Sequence, residues 1–282
     1  MDKGESLVEE IERGWRLVGT AVVGSAHQKV GLPCQDALDY RVILNGSAGS
    51  VLLVALADGA GSAELADLGA HCAVDVAMRS MAAAIQGGLP EERTGWDALL
   101  CKAFDQARQA LERLADEQTE PLRAFATTLT CVIAAGEWLA VGQLGDGAVV
   151  AGEDHQTLFV VARTQRGEYA NETYFLTQAD ALEQVEVQVL EQPVSLLAVM
   201  SDGLIRLALR MPSHAPHLPF FQPLFAFTAA AESEAQAAGQ LAAFLASERV
   251  CARTDDDKSL VLAIRPTVST VETIAERRDE SI

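Results

Sequence analysis

The sequence predicts an α+β fold in which helices cover the outside of stacked sheets. Strand-like apolar runs come first, two long helical segments follow, and more strands with a further helix complete the chain. The 282 residues are 49% hydrophobic and 22% charged, which is the composition of a globular protein. A chain of this length buries enough surface to fold without disulfides. One domain explains this order better than two.

The first half of the chain predicts three strands and then two helices. The strands are predicted over residues 15–23, 38–44 and 51–57, the last being a continuous apolar run that is typical of a buried strand. Ser62 is the predicted N-cap of an alanine-rich helix over 63–86, which Gly87 and Gly88 end. A second helix is predicted over 96–117, where apolar residues recur on one face.

The second half of the chain predicts mostly strands. These are expected over residues 127–134, 138–144, 148–151, 157–162, 185–190, 195–200 and 259–264. A helix is predicted over 232–249, and the proline-rich residues 211–223 are predicted to form a loop. The longest uncharged run, 213–231, contains three prolines, so it is not expected to form a membrane-spanning helix.

We expect a central domain over residues 15–265, preceded by an N-terminal extension over 1–14 and followed by a loosely ordered tail over 266–282. The N-terminus is acidic and has no apolar core segment, so no secretory signal is expected. Five cysteines without a CxxC pair indicate free thiols and a cytoplasmic location.

The charge balance excludes several partners. Forty acidic and 21 basic residues give a net charge of −19. Nucleic acids and anionic membranes bind mainly to Lys and Arg, so neither is an expected partner. A phosphorylated substrate would also be repelled unless its site contains a local positive charge.

Aspartates follow apolar strands at several places. The pairs Asp58-Gly59, Asp146-Gly147 and Asp202-Gly203 each end a strand-like run, and further aspartates lie beside strands at residues 36 and 255–257. Each Asp-Gly pair alone is also the favoured sequence of a tight hairpin turn. Converging carboxylates repel one another, and cations relieve this repulsion. Oxygen ligands without His or Cys indicate Mg²⁺ or Mn²⁺, which would also supply positive charge for a phosphate.

The ordered motifs CQDA (34–37), ADGAGS (57–62), GDGA (145–148), SDGL (201–204) and DDKS (256–259) resemble those of the metal-dependent type 2C, or PPM-type, protein phosphatases. The compact bacterial branch with a G-x-P-C-Q-D-A segment is the most similar. The resemblance spans residues 15–265. It implies an α-β-β-α sandwich of two antiparallel sheets, a binuclear Mn²⁺ or Mg²⁺ site, and hydrolysis of phosphoserine and phosphothreonine. It also implies a phosphorylated protein substrate and a cognate Ser/Thr kinase in bacterial signalling.

The resemblance assigns the metal ligands. Asp58 would bridge both metals, and the Gly59 carbonyl would ligate one of them. Asp202 and Asp256 would hold the first metal, although a small shift of register would make residue 255 or 257 the ligand instead.

Two further aspartates receive roles from the resemblance. Asp36 would reach the site through water, and Asp146 matches a ligand of a weaker third metal. A water that bridges the metals would attack phosphorus in line, so no protein nucleophile is needed.

This chain departs from the family pattern in its phosphate contacts and its proton donor. Eukaryotic members often have a histidine where Ala60 stands, so water or another histidine would protonate the leaving group. No arginine lies between residues 16 and 41 to hold the phosphate. His27 and Lys29 are the predicted replacements. In the variable flap over 166–177, four residues are hypothetical substrate contacts: Glu168, Asn171, Glu172 and Thr173.

Competing hypotheses remain beside the phosphatase. Gly59 and Gly61 match half of a dinucleotide-binding glycine loop, but Glu64 occupies the third position, where it would face pyrophosphate. The main alternative is a catalytically weak, phosphatase-like module that binds a phosphoprotein or a kinase. Gln35, in place of the family's acidic residue, Ala60 and the missing arginine motivate this alternative. The retained aspartates argue against it.

Overall fold

The computed structural model describes residues 14–46, 49–165 and 173–265. Its strands are β1 (Arg16–Val22), β2 (Asp36–Asn45), β3 (Gly49–Asp58), β4 (Leu129–Ala135), β5 (Trp138–Leu144), β6 (Ala148–Gly152), β7 (Phe159–Ala162), β8 (Glu186–Glu191), β9 (Leu196–Met200), β10 (Leu209–Arg210), β11 (Ala215–Pro216) and β12 (Lys258–Ile264). Its α-helices are α1 (Ser25–Val30), α2 (Ala66–Gln86), α3 (Arg93–Gln118), α4 (Ile205–Ala208), α5 (Leu218–Ala230), α6 (Glu234–Leu245) and α7 (Glu248–Cys251). The predicted tail over 266–282 lies outside the described residues, and so does the predicted N-terminal extension over 1–14 apart from residue 14.

Two five-stranded antiparallel sheets form the centre of the fold. The first has the strand order β1-β12-β9-β6-β7, and the second has the order β2-β3-β4-β5-β8. Their facing sides bury one apolar cluster, which includes Leu52, Val54, Val141, Val199 and Val261. The predicted α+β fold is therefore confirmed, with the two sheets stacked face to face.

Helices cover the outer face of each sheet. Helices α2 and α3 pack on the second sheet through residues such as Met78, Trp96 and Phe104. Helices α5 and α6 pack on the first sheet through residues such as Phe221, Phe225 and Leu241. The layers are therefore α-β-β-α. No helix of the described residues has both the length and the apolar character that are needed to cross a bilayer.

Strand β3 shows why a continuous apolar run was needed. Alternate side chains point to opposite faces of a strand. Leu52 and Val54 contribute to the cluster between the sheets, whereas Leu53 and Ala55 pack under the outer helices. Because both faces are covered, both sets of side chains must be apolar, as the buried-strand prediction required.

The prediction of a loop over 211–223 is wrong from Leu218 onward. Helix α5 begins there, with Pro219 in its first turn and Pro223 inside it. Proline is tolerated in the first turn because that N–H has no partner within the helix. Burial of Phe221 and Phe225 on the sheet stabilises the helix against the backbone hydrogen bond that is lost at Pro223.

Two other helix predictions differ from the structure. The first long helix begins at Ala66 and not after Ser62, and no side chain caps its first turn. Residues 59–65 instead lie against the segment before β4, where Gly59 pairs with Thr127 and the Ala60 N–H donates to the Ala126 carbonyl. Helix α1 is not predicted by the sequence, because none of its six residues is buried and it therefore has no apolar periodicity.

Candidate active site at the shared end of the two sheets

Three aspartates from both sheets meet at one end of the sandwich. Asp58 is the last residue of β3, Asp146 lies in the turn that connects β5 to β6, and Asp202 follows β9. One carboxylate oxygen from each lies within 4.8 Å of the others. The structure thus brings together three of the aspartates that the sequence marks as strand-end residues.

Asp36 adds a fourth carboxylate beside Asp58. The two residues are direct partners in the antiparallel ladder between β2 and β3. Asp36 is 3% exposed, and neither of its carboxylate oxygens has a hydrogen bond of normal geometry. The hydroxyls of Ser259 and Ser201 lie close enough to lower its pKa in part. Like charges opposite each other on a ladder destabilise a sheet, so this pair needs a compensating cation.

The carboxylates raise one another's pKa values. Burial, followed by the charges of Asp36 and Asp202, raises the pKa of Asp58 well above its ordinary value. Burial and the charge of Asp146 raise the pKa of Asp202 to about 7, and burial raises that of Asp36 to about 7. The ionised cluster is therefore unfavourable without a positive partner.

The donor set fits divalent cations. It consists of carboxylate oxygens, without the sulfur or imidazole ligands that softer metals prefer. The two oxygens of Asp36 are buried without normal hydrogen bonds. These features suit a hard cation such as Mg²⁺ or Mn²⁺, which takes oxygen ligands and neutralises their charge.

The backbone at Gly59 is held close to the CQDA segment. Its N–H donates to the Gln35 carbonyl at 3.1 Å. A Cβ atom at position 59 would lie 2.6 Å from the same carbonyl oxygen and 2.9 Å from Ala66. Only glycine fits this approach, which fixes the backbone that follows Asp58.

The three aspartates of the run 255–257 have different surroundings. Asp257 is buried, and its carboxylate accepts hydrogen bonds from the N–H groups of Gly24 at 2.5 Å and Gln35 at 2.6 Å. Asp256 is exposed, and its charge raises the pKa values of both Asp58 and Asp202. The structure thus places Asp256 within electrostatic reach of the cluster and gives Asp257 another task, which is to anchor the N-terminal loop.

His27 lies in α1, beside the Asp58 loop. Its Nδ1 is 3.0 Å from Asp257 Oδ2. Its Nε2 lies 3.5 Å from the position that a Cβ would take at Gly61. Lys29 is exposed on the same helix, and within the described ranges it forms no ion pair. Of these two candidates, His27 is the one for which the structure shows an approach to the loop that follows Asp58.

The sequence does not indicate the contacts that two polar residues make at the site. Thr173 was a hypothetical substrate contact, but its Oγ1 donates to Asp146 Oδ2 at 2.6 Å. The other flap candidates, Glu168, Asn171 and Glu172, lie outside the described residues. The sequence indicates Asp257 only as an alternative metal ligand to Asp256. Its anchoring role depends on contacts with residues more than 220 positions away, which no local pattern indicates.

Comparisons with known proteins identify the family of this chain. A family model described as protein phosphatase 2C matches residues 23–246. A serine/threonine-protein phosphatase 3 of Escherichia coli is 38% identical over 252 residues, which cover 89% of this chain and 98% of that protein.

Solved structures share the fold at low sequence identity. A serine/threonine phosphatase of S. agalactiae has a TM-score of 0.59 and 15% identity, over 89% of this chain and 100% of that one. The serine/threonine phosphatase Stp1 of Staphylococcus aureus has a TM-score of 0.59 and 12% identity, over 89% and 95% of the two chains. The chain therefore belongs to the protein phosphatase 2C family and is a phosphoprotein phosphatase.

Proposed function

We propose that this phosphatase hydrolyses phosphoserine and phosphothreonine with two Mn²⁺ or Mg²⁺ ions held by its aspartate cluster. The observation that carries the proposal is the convergence of Asp58, Asp146 and Asp202 within 4.8 Å, beside the buried oxygens of Asp36. A cluster of this kind has a high electrostatic cost, which a cation offsets.

The positions of Asp58 and Asp202 in the cluster support a proposed set of ligands. We propose that Asp58 and the Gly59 carbonyl, with Asp202 and Asp256, hold the two ions. Asp36 would act from its buried position opposite Asp58. When bound, the ions would act as Lewis acids on the phosphoryl oxygens and lower the pKa of a coordinated water.

Asp146 is the proposed ligand of a weaker third ion. The Thr173 hydroxyl donates to its Oδ2, which orients the carboxylate and leaves Oδ1 for other contacts. Hydrogen bonds to a ligand's second oxygen commonly tune metal affinity.

His27 is the proposed contact for the phosphorylated side chain. The carboxylate of Asp257 accepts from its Nδ1, so Nε2 is left to face the loop that contains Gly61. A protonated Nε2 would donate to the phosphate or to the departing serine or threonine oxygen, which is a poor leaving group. Lys29 remains a second candidate for the phosphate contact, acting as a point charge from the same helix.

The proposed substrate is a phosphoprotein made by a Ser/Thr kinase, as in bacterial kinase and phosphatase signalling. The family match and the relative's name, serine/threonine-protein phosphatase, support this substrate class.

We also propose a cytoplasmic location, since the cysteines of the chain are all free thiols: Cys34, Cys72, Cys101, Cys131 and Cys251.

Phosphate release from a phosphothreonine peptide tests this proposal. We expect release to require Mn²⁺ or Mg²⁺ and to fall at least a hundredfold in Asp58→Asn, because that carboxylate lies at the centre of the cluster. Asp75→Asn, which removes an exposed carboxylate on α2, is the matched control and should retain activity. Absence of release from folded protein at every metal concentration would instead favour the phosphoprotein-binding module.

A further inference from the structure

A large apolar groove lies on the outer helical layer of the first sheet. It encloses about 460 Å³ between α4, α5, α6 and α7. Phe220, Phe227 and Phe244 contribute to its walls, and Phe244 is 37% exposed. A cavity of this size and apolar character is typical of a ligand-binding site.

Three arginines give the groove a charge that is opposite to that of the protein. Arg206, Arg249 and Arg253 line it, and all three are exposed. No aspartate or glutamate is found among the described residues that line it. The chain as a whole has 40 acidic and only 21 basic residues. In the described part of the chain none of the three arginines forms an ion pair.

Two of the groove's arginines lie close in the chain to aspartates of the site. Arg253 precedes Asp256 by three residues, and Arg206 follows Asp202 by four. Since an extended chain spans at most about 3.6 Å per residue, the Cα atoms of Arg253 and Asp256 lie within about 11 Å of each other. A ligand that reaches from the aspartate cluster into the groove therefore has a short distance to cover.

We propose that this groove binds a docking segment of the phosphoprotein substrate, a segment with acidic residues around one large apolar side chain. The apolar side chain would contact the phenylalanines, and the acidic residues would pair with the free arginines. This inference rests on the proposed phosphatase function for the identity of the partner.

The spacing between the docking segment and the phosphorylated residue follows from this geometry. An extended peptide advances about 3.3 Å per residue. The span of up to about 11 Å between the Cα atoms of Arg253 and Asp256 corresponds to about three extended residues, so we expect the docking segment to lie roughly four to ten residues from the phosphorylated residue. Substrates with this segment should bind more tightly than those without it.

Matched phosphothreonine peptides test the proposal. Two peptides carry a Glu-Asp-Phe-Glu segment, one of them six residues before the phosphothreonine and the other six residues after it. Two control peptides carry Gln-Asn-Ser-Gln at the same two positions. We expect kcat/KM to be about tenfold higher for the acidic apolar segment in one of the two placements, an effect of a few exposed charge pairs and one buried ring. Equal kcat/KM values for all peptides would overturn the proposal.

Charge-reversal variants locate the effect. Arg249→Glu/Arg253→Glu should remove the preference for the acidic apolar segment. Arg93→Glu/Lys102→Glu changes the net charge by the same amount on the opposite helical layer and should keep it. Each value is divided by that variant's rate on p-nitrophenyl phosphate, so general damage to the active site is separated from docking. A preference that survives in the first variant would overturn the proposal.

Two further measurements separate this inference from the phosphatase proposal and from another occupant. Fluorescence anisotropy with the unphosphorylated Glu-Asp-Phe-Glu peptide reports docking even if no phosphate is released. Binding that is weakened about tenfold by Arg249→Glu/Arg253→Glu supports the groove. Sedimentation tests whether the wild type is a dimer and whether Arg249→Glu/Arg253→Glu is a monomer. If both are found and the kcat/KM values of the peptides are equal, the groove binds a second copy of the chain and the proposal is overturned.

Discussion

Asp36 and Asp58 face each other across the ladder between β2 and β3, at the end of the sheet where Asp146 and Asp202 converge. The buried oxygens of Asp36 lack normal hydrogen bonds, and its charge raises the pKa of Asp58. The ten-pair ladder between β2 and β3 thus ends in a pair of repelling carboxylates. This arrangement is stable with a cation and costly without one.

Neutralising one member of the pair should therefore stabilise the metal-free protein. The raised pKa of Asp58 means that folding disfavours its ionised form at neutral pH. We expect Asp58→Asn to increase the free energy of unfolding without metal by more than the roughly 0.5 kcal/mol within which most surface substitutions fall. Urea unfolding in the presence of a chelator measures this change. A decrease in stability equal to that of a core mutation would contradict the account.

Metal ions should stabilise the wild type and not this variant. At a hundredfold excess over Kd, a bound ion contributes about 2.7 kcal/mol. For a chain of this size, that corresponds to a rise in Tm of roughly 5 to 10 °C. We expect most of this rise to be lost in Asp58→Asn and retained in Asp75→Asn, as measured by thermal unfolding with and without Mn²⁺. An equal rise in all three proteins would place the metal elsewhere.

Close packing at Gly203 should be essential to the site. A Cβ there would lie 2.0 Å from the Asp257 carbonyl oxygen, so any side chain would push the 255–257 loop away from Asp202. We expect Gly203→Ala to lower the free energy of unfolding by about 1 to 3 kcal/mol. Gly239→Ala is the matched control, because the added methyl meets nothing within 4 Å and α6 should gain up to about 1 kcal/mol. Similar effects of the two substitutions in urea unfolding would refute this view.

The pairing of His27 with Asp257 predicts a dependence on the leaving group. A serine or threonine oxygen needs a proton as it departs, whereas p-nitrophenolate does not. We expect His27→Gln to lower kcat on a phosphothreonine peptide about a hundredfold and to have a much smaller effect on p-nitrophenyl phosphate.

Lys29→Gln provides the comparison on the same helix. Lys29 is exposed. We expect Lys29→Gln to change kcat on the phosphothreonine peptide and on p-nitrophenyl phosphate by no more than about twofold, because a surface charge is screened by salt. If Lys29→Gln raised KM for both substrates while His27→Gln had no effect, the phosphate contact would belong to Lys29 instead.

The contact between Thr173 and Asp146 predicts an effect on metal affinity. We expect Thr173→Val to raise the metal concentration needed for half-maximal activity about tenfold, because the carboxylate loses its orienting donor. Thr157→Val removes a similar hydrogen bond to the exposed Asp154 and serves as the control. Activity measured over a Mn²⁺ series compares the two. Equal curves would contradict the role of Thr173 in orienting Asp146 for the ion.

Much of the fold could be predicted because, for most strands, the local hydrophobic pattern agrees with the strand that the structure shows. The apolar run of β3 is explained by burial on both faces, and the order of strands and helices follows from the hydrophobic pattern. Helix α5 could not be predicted as readily, because Pro219 and Pro223 indicate a loop locally. Only the packing of Phe221 and Phe225 on the sheet decides in favour of the helix.

The candidate site was predictable where its residues end strands, and less so where they act over long distances. Asp58, Asp146 and Asp202 each follow an apolar strand, and the structure brings them together. Asp256 and Asp257 differ because only the Asp257 carboxylate accepts hydrogen bonds from the N–H groups of Gly24 and Gln35. Adjacent residues of one type carry no local signal that separates such roles.

Calorimetric titration of Mn²⁺ into the metal-free full chain tests the central claim most directly. We predict binding of at least two ions per chain in the wild type and a loss of at least one site in Asp202→Asn, since Asp202 belongs to the carboxylate cluster. Asp75→Asn should bind as the wild type does. No Mn²⁺ binding by the wild type, or identical binding by Asp202→Asn, would contradict the assignment of the aspartate cluster as the metal centre.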